Sequence, residues 1–260
     1  MRIQRHQSTL SALALGALLI IGAPAAHAAI DLYTGNDLGA GASDPRPNSD
    51  AAAAAFDAAV AALTGTAPGV VTFENVAIGS LTGNTSATVG AGITATVLNN
   101  GGDGVRLTSG GSGSTGYNVT PGGNQFLDLR GSSGANPYGV SFAFADPVQA
   151  FGFYLVGLSD TPASPLTVSF VAEGTSQSFT LTGVNNNGVQ FFGFTAGGES
   201  ITEIRIERAA GSGDFIGLDD VRFGYRFQAA AVPEPGTFAL AAPGLLALVG
   251  VGMRARRRRA

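Results

Sequence analysis

Between residues 70 and 225 the chain is written as short apolar runs broken by Gly, Asn, Ser and Pro, and no other feature constrains the fold as much. Runs of this length with period-two alternation, such as Leu166-x-Val168-x-Phe170 and Ile204-x-Ile206, predict half-buried strands. The predicted strands are 70–76, 93–98, 105–108, 117–120, 125–129, 139–144, 148–156, 166–173, 177–182, 189–194, 201–208 and 218–225. No gap between them is long enough for a helical crossover. The expectation is therefore an all-β chain, an antiparallel β-sandwich of jelly-roll type. Roughly 155 residues are enough to bury ~70% of the unfolded surface in one core. Phe142, Phe144, Phe151, Phe153, Phe170, Phe179, Phe192, Phe194 and Phe223 fall inside the patterns as its fillers.

Ahead of the strands, residues 31–48 are polar and rich in Gly, Pro and Asp, and read as an extended surface arm. Residues 49–65 are Ala-rich. Ser49 suits an N-cap, Asp50 the positive helix end and Gly65 the C′ position. Phe56, Val60 and Leu63 form one narrow apolar stripe. A single short helix covering a sheet face or edge is the expectation. The resulting division is 1–28, 29–69, 70–228 and 232–260.

The first and last of these segments read as addresses. Arg2 and Arg5, an apolar stretch from Leu10 to Gly22, and Ala26-His27-Ala28 make a secretory signal peptide with Ala29 as the new N-terminus. At the other end, Pro233-Glu234-Pro235 precedes an apolar run from Phe238 to Met253, followed by Arg254, Arg256, Arg257, Arg258 and Arg259. At ~1.5 Å per residue such a run reaches ~24 Å, short of a ~30 Å hydrocarbon core. Arginines at its end favour the cytoplasmic side. This order closely resembles the PEP-CTERM sorting signal of Gram-negative, often exopolysaccharide-producing bacteria. The resemblance implies export by a translocase and an inner-membrane intermediate held by a C-terminal transmembrane helix. It also implies processing by an exosortase and delivery to the cell surface or extracellular matrix.

Without its ends the chain is strongly acidic. Residues 29–232 hold seven arginines and seventeen acids, a net charge of −10 against −4 for the whole chain. A surface of that sign argues against nucleic acid. The chain has no Cys or Lys, and its two histidines, His6 and His27, lie in the leader. Serine and cysteine nucleophile systems, His/Cys zinc sites, disulfides and lysine Schiff bases are all excluded on residue type. Carboxylate chemistry is left: paired acids, or oxygen ligands for a hard cation such as Ca²⁺.

Two acidic stretches stand out. Glu74 lies near the start of the β region, and Asp214 to Phe223 at its end includes Asp219 and Asp220. Counting by twos from Val221 and Phe223 turns Asp219 inward and Asp220 outward. A buried carboxylate is costly unless it is paired or ligating. Either Glu74 and Asp219 or Asp220, with loop acids such as Asp214, hold a structural Ca²⁺, or Asp219 caps a β-bulge or accepts backbone N–H groups. The helix, the Phe73-Glu74 strand and the closing Gly217-Leu-Asp-Asp-Val221 strand resemble the β domain found ahead of PEP-CTERM tails, and the carbohydrate-binding-module class of jelly rolls. Gly111-x-Gly113-x-x-Gly116 lacks the βαβ context of a dinucleotide site. Asn84-Thr-Ser86 and Asn118-Val-Thr120 are sequons without a role here.

These readings make the protein a non-catalytic exported surface or exopolysaccharide-matrix protein. The alternatives are a carbohydrate-binding sandwich with structural calcium and a two-carboxylate polysaccharide-cleaving enzyme. Platforms for sugar rings favour Trp or Tyr. This chain has no Trp and five tyrosines, which lowers the binding alternative.

Overall fold

One long strand ties the molecule together. The computed structural model describes residues 29–81, 84–99, 105–109, 116–130, 138–158, 165–172, 174–181, 188–208 and 215–225. The leader, the sorting tail with its arginines, and Asp214 lie outside the described residues. The elements in chain order are β1 (Ile30–Asp37), α1 (Pro47–Thr64), β2 (Gly69–Val71), β3 (Ser86–Gly90), β4 (Ile93–Asn99), β5 (Val105–Ser109), β6 (Gln125–Arg130), β7 (Tyr138–Val156), β8 (Leu166–Ala172), β9 (Thr175–Leu181), β10 (Val189–Ala196), β11 (Ile201–Arg208) and β12 (Phe215–Tyr225). The described pairings are all antiparallel.

The 19 residues of β7 serve two sheets in turn. Its first half pairs with β4 and β11, and its second half with β10 and β12. The exchange falls at Ala145-Asp146-Pro147, and Pro147 has no N–H to give a ladder. Sheet A thus runs β3-β4-β7-β11-β8-β9, and sheet B runs β5-β6-β12-β7-β10-β1, with β2 beside the second half of β12. The predicted strands 139–144 and 148–156 are one strand that changes sheets.

Between the sheets lies the expected phenylalanine core. Phe142, Phe151, Phe153, Phe170, Phe192 and Phe194 are buried, and Phe179 packs against them partly exposed. Phe170 of sheet A stacks on Phe194 of sheet B, centroids 4.6 Å apart. Inward positions alternate as the sequence pattern requires, Ile204 and Ile206 on β11 and Leu166, Val168 and Phe170 on β8.

A second apolar cluster sits on the outer face of sheet B under α1. Ala53, Phe56 and Val60 meet Ala150, Tyr154, Val156, Val189 and Phe191. Phe56 is fully buried, its ring 5.8 Å from Tyr33 and 5.7 Å from Phe191. Gly65 closes the helix at φ 74°, the left-handed position expected of it. The start differs. The helix opens at Pro47, and its free N–H groups at Asn48 and Ser49 are taken by the Asp37 carboxylate, 3.1 and 2.7 Å away. Those hydrogen bonds hold Asp37 below the usual carboxylate range, against the upward push of burial. Ser49 is buried and donates instead to the carbonyls of Gly35 and Val189.

Three expectations need correction. The polar arm begins with a strand, β1, paired along its length with β10. The predicted strand at 117–120 is a loop. The strand expected over 70–76 stops at Val71, so Glu74 lies in the following turn, while β2 pairs with the closing strand β12. Among the described residues no helix is long and apolar enough to cross a membrane.

Candidate functional site

The two acidic stretches converge on one loop, residues 117–124, from opposite sides. Glu74 Oε1 accepts the Asn118 side-chain amide at 2.9 Å and the backbone N–H groups of Asn124 and Gln125, both at 2.7 Å. Asp219 Oδ2 accepts the N–H groups of Val119 at 2.8 Å and Thr120 at 3.2 Å. The Thr120 hydroxyl lies 2.5 Å from Asp220 Oδ1 and 3.3 Å from Asp219 Oδ2.

Asp219 does not face the sandwich interior. The β7–β12 register slips between Asp219 and Arg222, and Asp220 takes a φ of 45°. This bulge puts one extra residue between the two, so Asp219 and Arg222 both lie on the helix side. Asp219 is nonetheless fully buried, covered by the loop, and its Oδ1 has no partner among the described residues. Burial, then the neighbouring Asp220 charge, push its carboxyl up to about 7 against the pull of the backbone N–H groups.

Arg222 pairs with Asp57 of α1 and lies 3.7 Å from Asp220. Arg46 donates to the Val119 carbonyl and stacks 5.2 Å above the Tyr154 ring. Tyr154 donates to Asp50 at 2.7 Å, and the buried Tyr117 hydroxyl donates to the Ala40 carbonyl at 2.6 Å. Burial raises both phenols, Tyr117 to about 12. The loop and Arg46 border a polar cleft of about 400 Å³.

This arrangement positions a loop. Glu74 and Asp219 serve different stretches of it, and no group of three or more His, Cys, Asp or Glu able to hold a metal gathers among the described residues. Asp219 accepts backbone N–H groups of the loop, one of the readings open to it from the sequence.

The open surface is elsewhere. α1 and the 117–124 loop cover the outer side of sheet B, and among the described residues no element covers the outer side of sheet A. Its outward positions carry hydroxyls in register. One row crosses all six strands as Ser86, Thr96, Ser141, Arg205, Ser169 and Ser178, and a second begins Thr88, Thr94, Ala143, Glu203. Five strand spacings of ~4.8 Å give a platform ~24 Å across.

Two shallow depressions, of about 370 Å³ and about 430 Å³, lie on this face. Glu203 lines one and Ala143 the other, and these two residues are cross-strand partners. At the junction, Glu203 Oε1 accepts the Ser141 hydroxyl at 2.6 Å and Arg205 Nε at 2.8 Å. The Ser141 hydrogen bond, followed by Arg205, holds the Glu203 carboxyl below its usual range despite some burial. Sequence reasoning singled out neither Glu203 nor Arg205. The available signal was hydroxyls at alternate positions in strands whose other face is apolar, as in Thr94/Thr96 and Ser176/Ser178/Thr180.

No family model matches the chain, and no curated protein does. Among solved structures it is similar to TmCBM61 in complex with β-1,4-galactotriose, with 10% identity over 50% of this chain and 88% of that one and a TM-score of 0.35. It is also similar to a xylan-binding domain of family 22, with 15% identity, 61% and 94% coverage and a TM-score of 0.35. A third is the K1 cleaved adhesin domain of Lys-gingipain from Porphyromonas gingivalis W83, with 12% identity, 61% and 98% coverage and a TM-score of 0.37. At scores this low, function rests on the chain's own residues.

Proposed function

We propose that the chain is an exported, non-catalytic polysaccharide-binding β-sandwich of jelly-roll type. In this reading it is carried out by its leader, processed by an exosortase at its Pro233-Glu234-Pro235 tail, and held in the surface or matrix exopolysaccharide.

The observation that carries the binding role is the bare face of sheet A. One row crosses six strands with hydroxyls at five of its six positions, two open depressions adjoin, and one ion pair sits between them. The described outward positions have no aromatic side chain, and their charges are confined to Glu203, Arg205 and Glu207. Polyhydroxyl chains are held by many modest hydrogen bonds of ~0.5–1.5 kcal/mol each. Such a face therefore suits an extended polymer bound weakly at each unit. The non-catalytic part of the reading is supported by the burial of the adjacent acids Asp219 and Asp220 beneath a loop.

Affinity electrophoresis in gels containing neutral polysaccharides tests the binding role. The native chain is expected to be retarded and to release no new reducing ends. Ala143→Leu, which raises a side chain between the depressions, is expected to run free with an unchanged melting temperature. Equal retardation of both proteins would move the site off this face. For the tail, a chain ending at Ala231 should lose the location of the full chain; identical localisation would refute the sorting role.

A further inference from the structure

The centre of the sheet A face has hydrogen-bonding capacity of two kinds left over. Arg205 uses only Nε, on Glu203, so both Nη groups are uncommitted among the described residues. Glu203 receives both its donors on Oε1, from Ser141 and Arg205, leaving Oε2 uncommitted. A guanidinium fork and a carboxylate oxygen are therefore presented side by side at the junction of the two depressions. Ser141 is 5% exposed and fixes Glu203 from below, so little side-chain freedom remains to be lost on binding.

A donor fork beside an acceptor matches one chemistry closely. Of two adjacent hydroxyls, one accepts from Arg205 Nη while the other donates to Glu203 Oε2. A ligand carboxylate or sulfate would find the same fork, but against a held, ionised Glu203. It would also approach a span of the chain carrying a net charge of −10. Like charge at this range disfavours the anion. The small neighbours Ser169, Ser176 and Ala143 leave the pair open from above.

Resting on the reading that sheet A binds polysaccharide, we propose that the Glu203–Arg205 pair selects neutral glycans bearing free vicinal hydroxyls and rejects acidic ones. Arg205 supplies the contact, and Glu203 sets the discrimination.

The test uses the purified full chain and three polymers (xylan, galactan and a β-glucan). Each is compared with its carboxymethylated form and with its periodate-oxidised form, in which vicinal diols are cleaved. The parent polymers are expected to bind, and both modified forms to bind about tenfold more weakly or worse, the scale of losing a charged hydrogen bond. Arg205→Gln should weaken the parent by a similar factor. Glu203→Gln should narrow the gap between parent and carboxymethylated polymer, which a merely structural role for Glu203 would not do. Both side chains are partly or largely exposed, and an unchanged melting temperature confirms the fold.

Equal or tighter binding of carboxymethylated polymer, or full binding after periodate, overturns this inference while leaving polysaccharide binding intact. No retention of any parent polymer overturns both.

Discussion

Replacing Asp219 by Asn should remove most of the protein's stability change across neutral pH. Asp219 is fully buried, with an ordinary value of 3.8 raised to about 7 by desolvation and by Asp220. A carboxyl with a raised value binds its proton more tightly folded than unfolded. Its contribution to stability is thus complete below pH ~4 and is lost as pH rises through ~7. At ~1.4 kcal/mol per pH unit, the interval from 3.8 to about 7 corresponds to ~4 kcal/mol. That is a large share of the ~5–15 kcal/mol that holds a typical domain. The background is unusually quiet. Beyond residue 28 the chain has no His, Cys or Lys. The lowered groups, Asp37 and Glu203, act in the opposite sense and only below about pH 5.

An Asn side chain keeps an oxygen for the Val119 and Thr120 N–H groups and needs no proton to be neutral. The assay is urea unfolding followed by circular dichroism at pH 5, 6, 7 and 8, on chains starting at Ala29. The parent should weaken steadily over that range. Asp219→Asn should stay nearly flat and be the more stable protein at pH 8. A flat or rising parent profile, or a variant that keeps the parent's slope, would refute the assignment of the buried proton to Asp219.

Two further outcomes follow from the packing. Phe56→Ala should cost about 3–5 kcal/mol in urea unfolding, because its fully buried ring lies between Tyr33 and Phe191 on a sheet that cannot close the gap. Glu74→Ala should cost about 1–3 kcal/mol and speed hydrogen exchange at the Asn124 and Gln125 amides, whose acceptor it removes.

Much of the sandwich was legible because it rests on local alternation. Leu166, Val168 and Phe170, or Ile204 and Ile206, show their inward face in the sequence, and Gly65 shows the helix end. What was missed depends on distant partners. Residues 117–120 have the look of a strand, but the Val119 and Thr120 N–H groups go to a carboxylate a hundred residues away. Counting by twos misplaced Asp219 because the bulge at Asp220 adds a residue that no local pattern announces. β1 is polar and reads as an arm because it is an edge strand. Its Gly35 allows α1 to lie close: a Cβ there would fall 2.1 Å from the Asn48 carbonyl oxygen. The Glu203–Arg205 centre is visible only once six strands are laid in register.

The place of β12 in the order of strands has a consequence for how the chain matures. It is the last of the described strands in sequence, yet it lies inside sheet B with β7 on one edge and β6 and β2 on the other. A chain emerging N-terminus first can zip β10 onto β7 and lay β1 beside it, but β6 has only β5 to pair with, and β2 has no partner strand, until residues 215–225 arrive. Sheet B therefore closes in a single late event that joins the beginning of the chain to its end. Any chain cut short of Tyr225 is left with open strand edges rather than a smaller working domain.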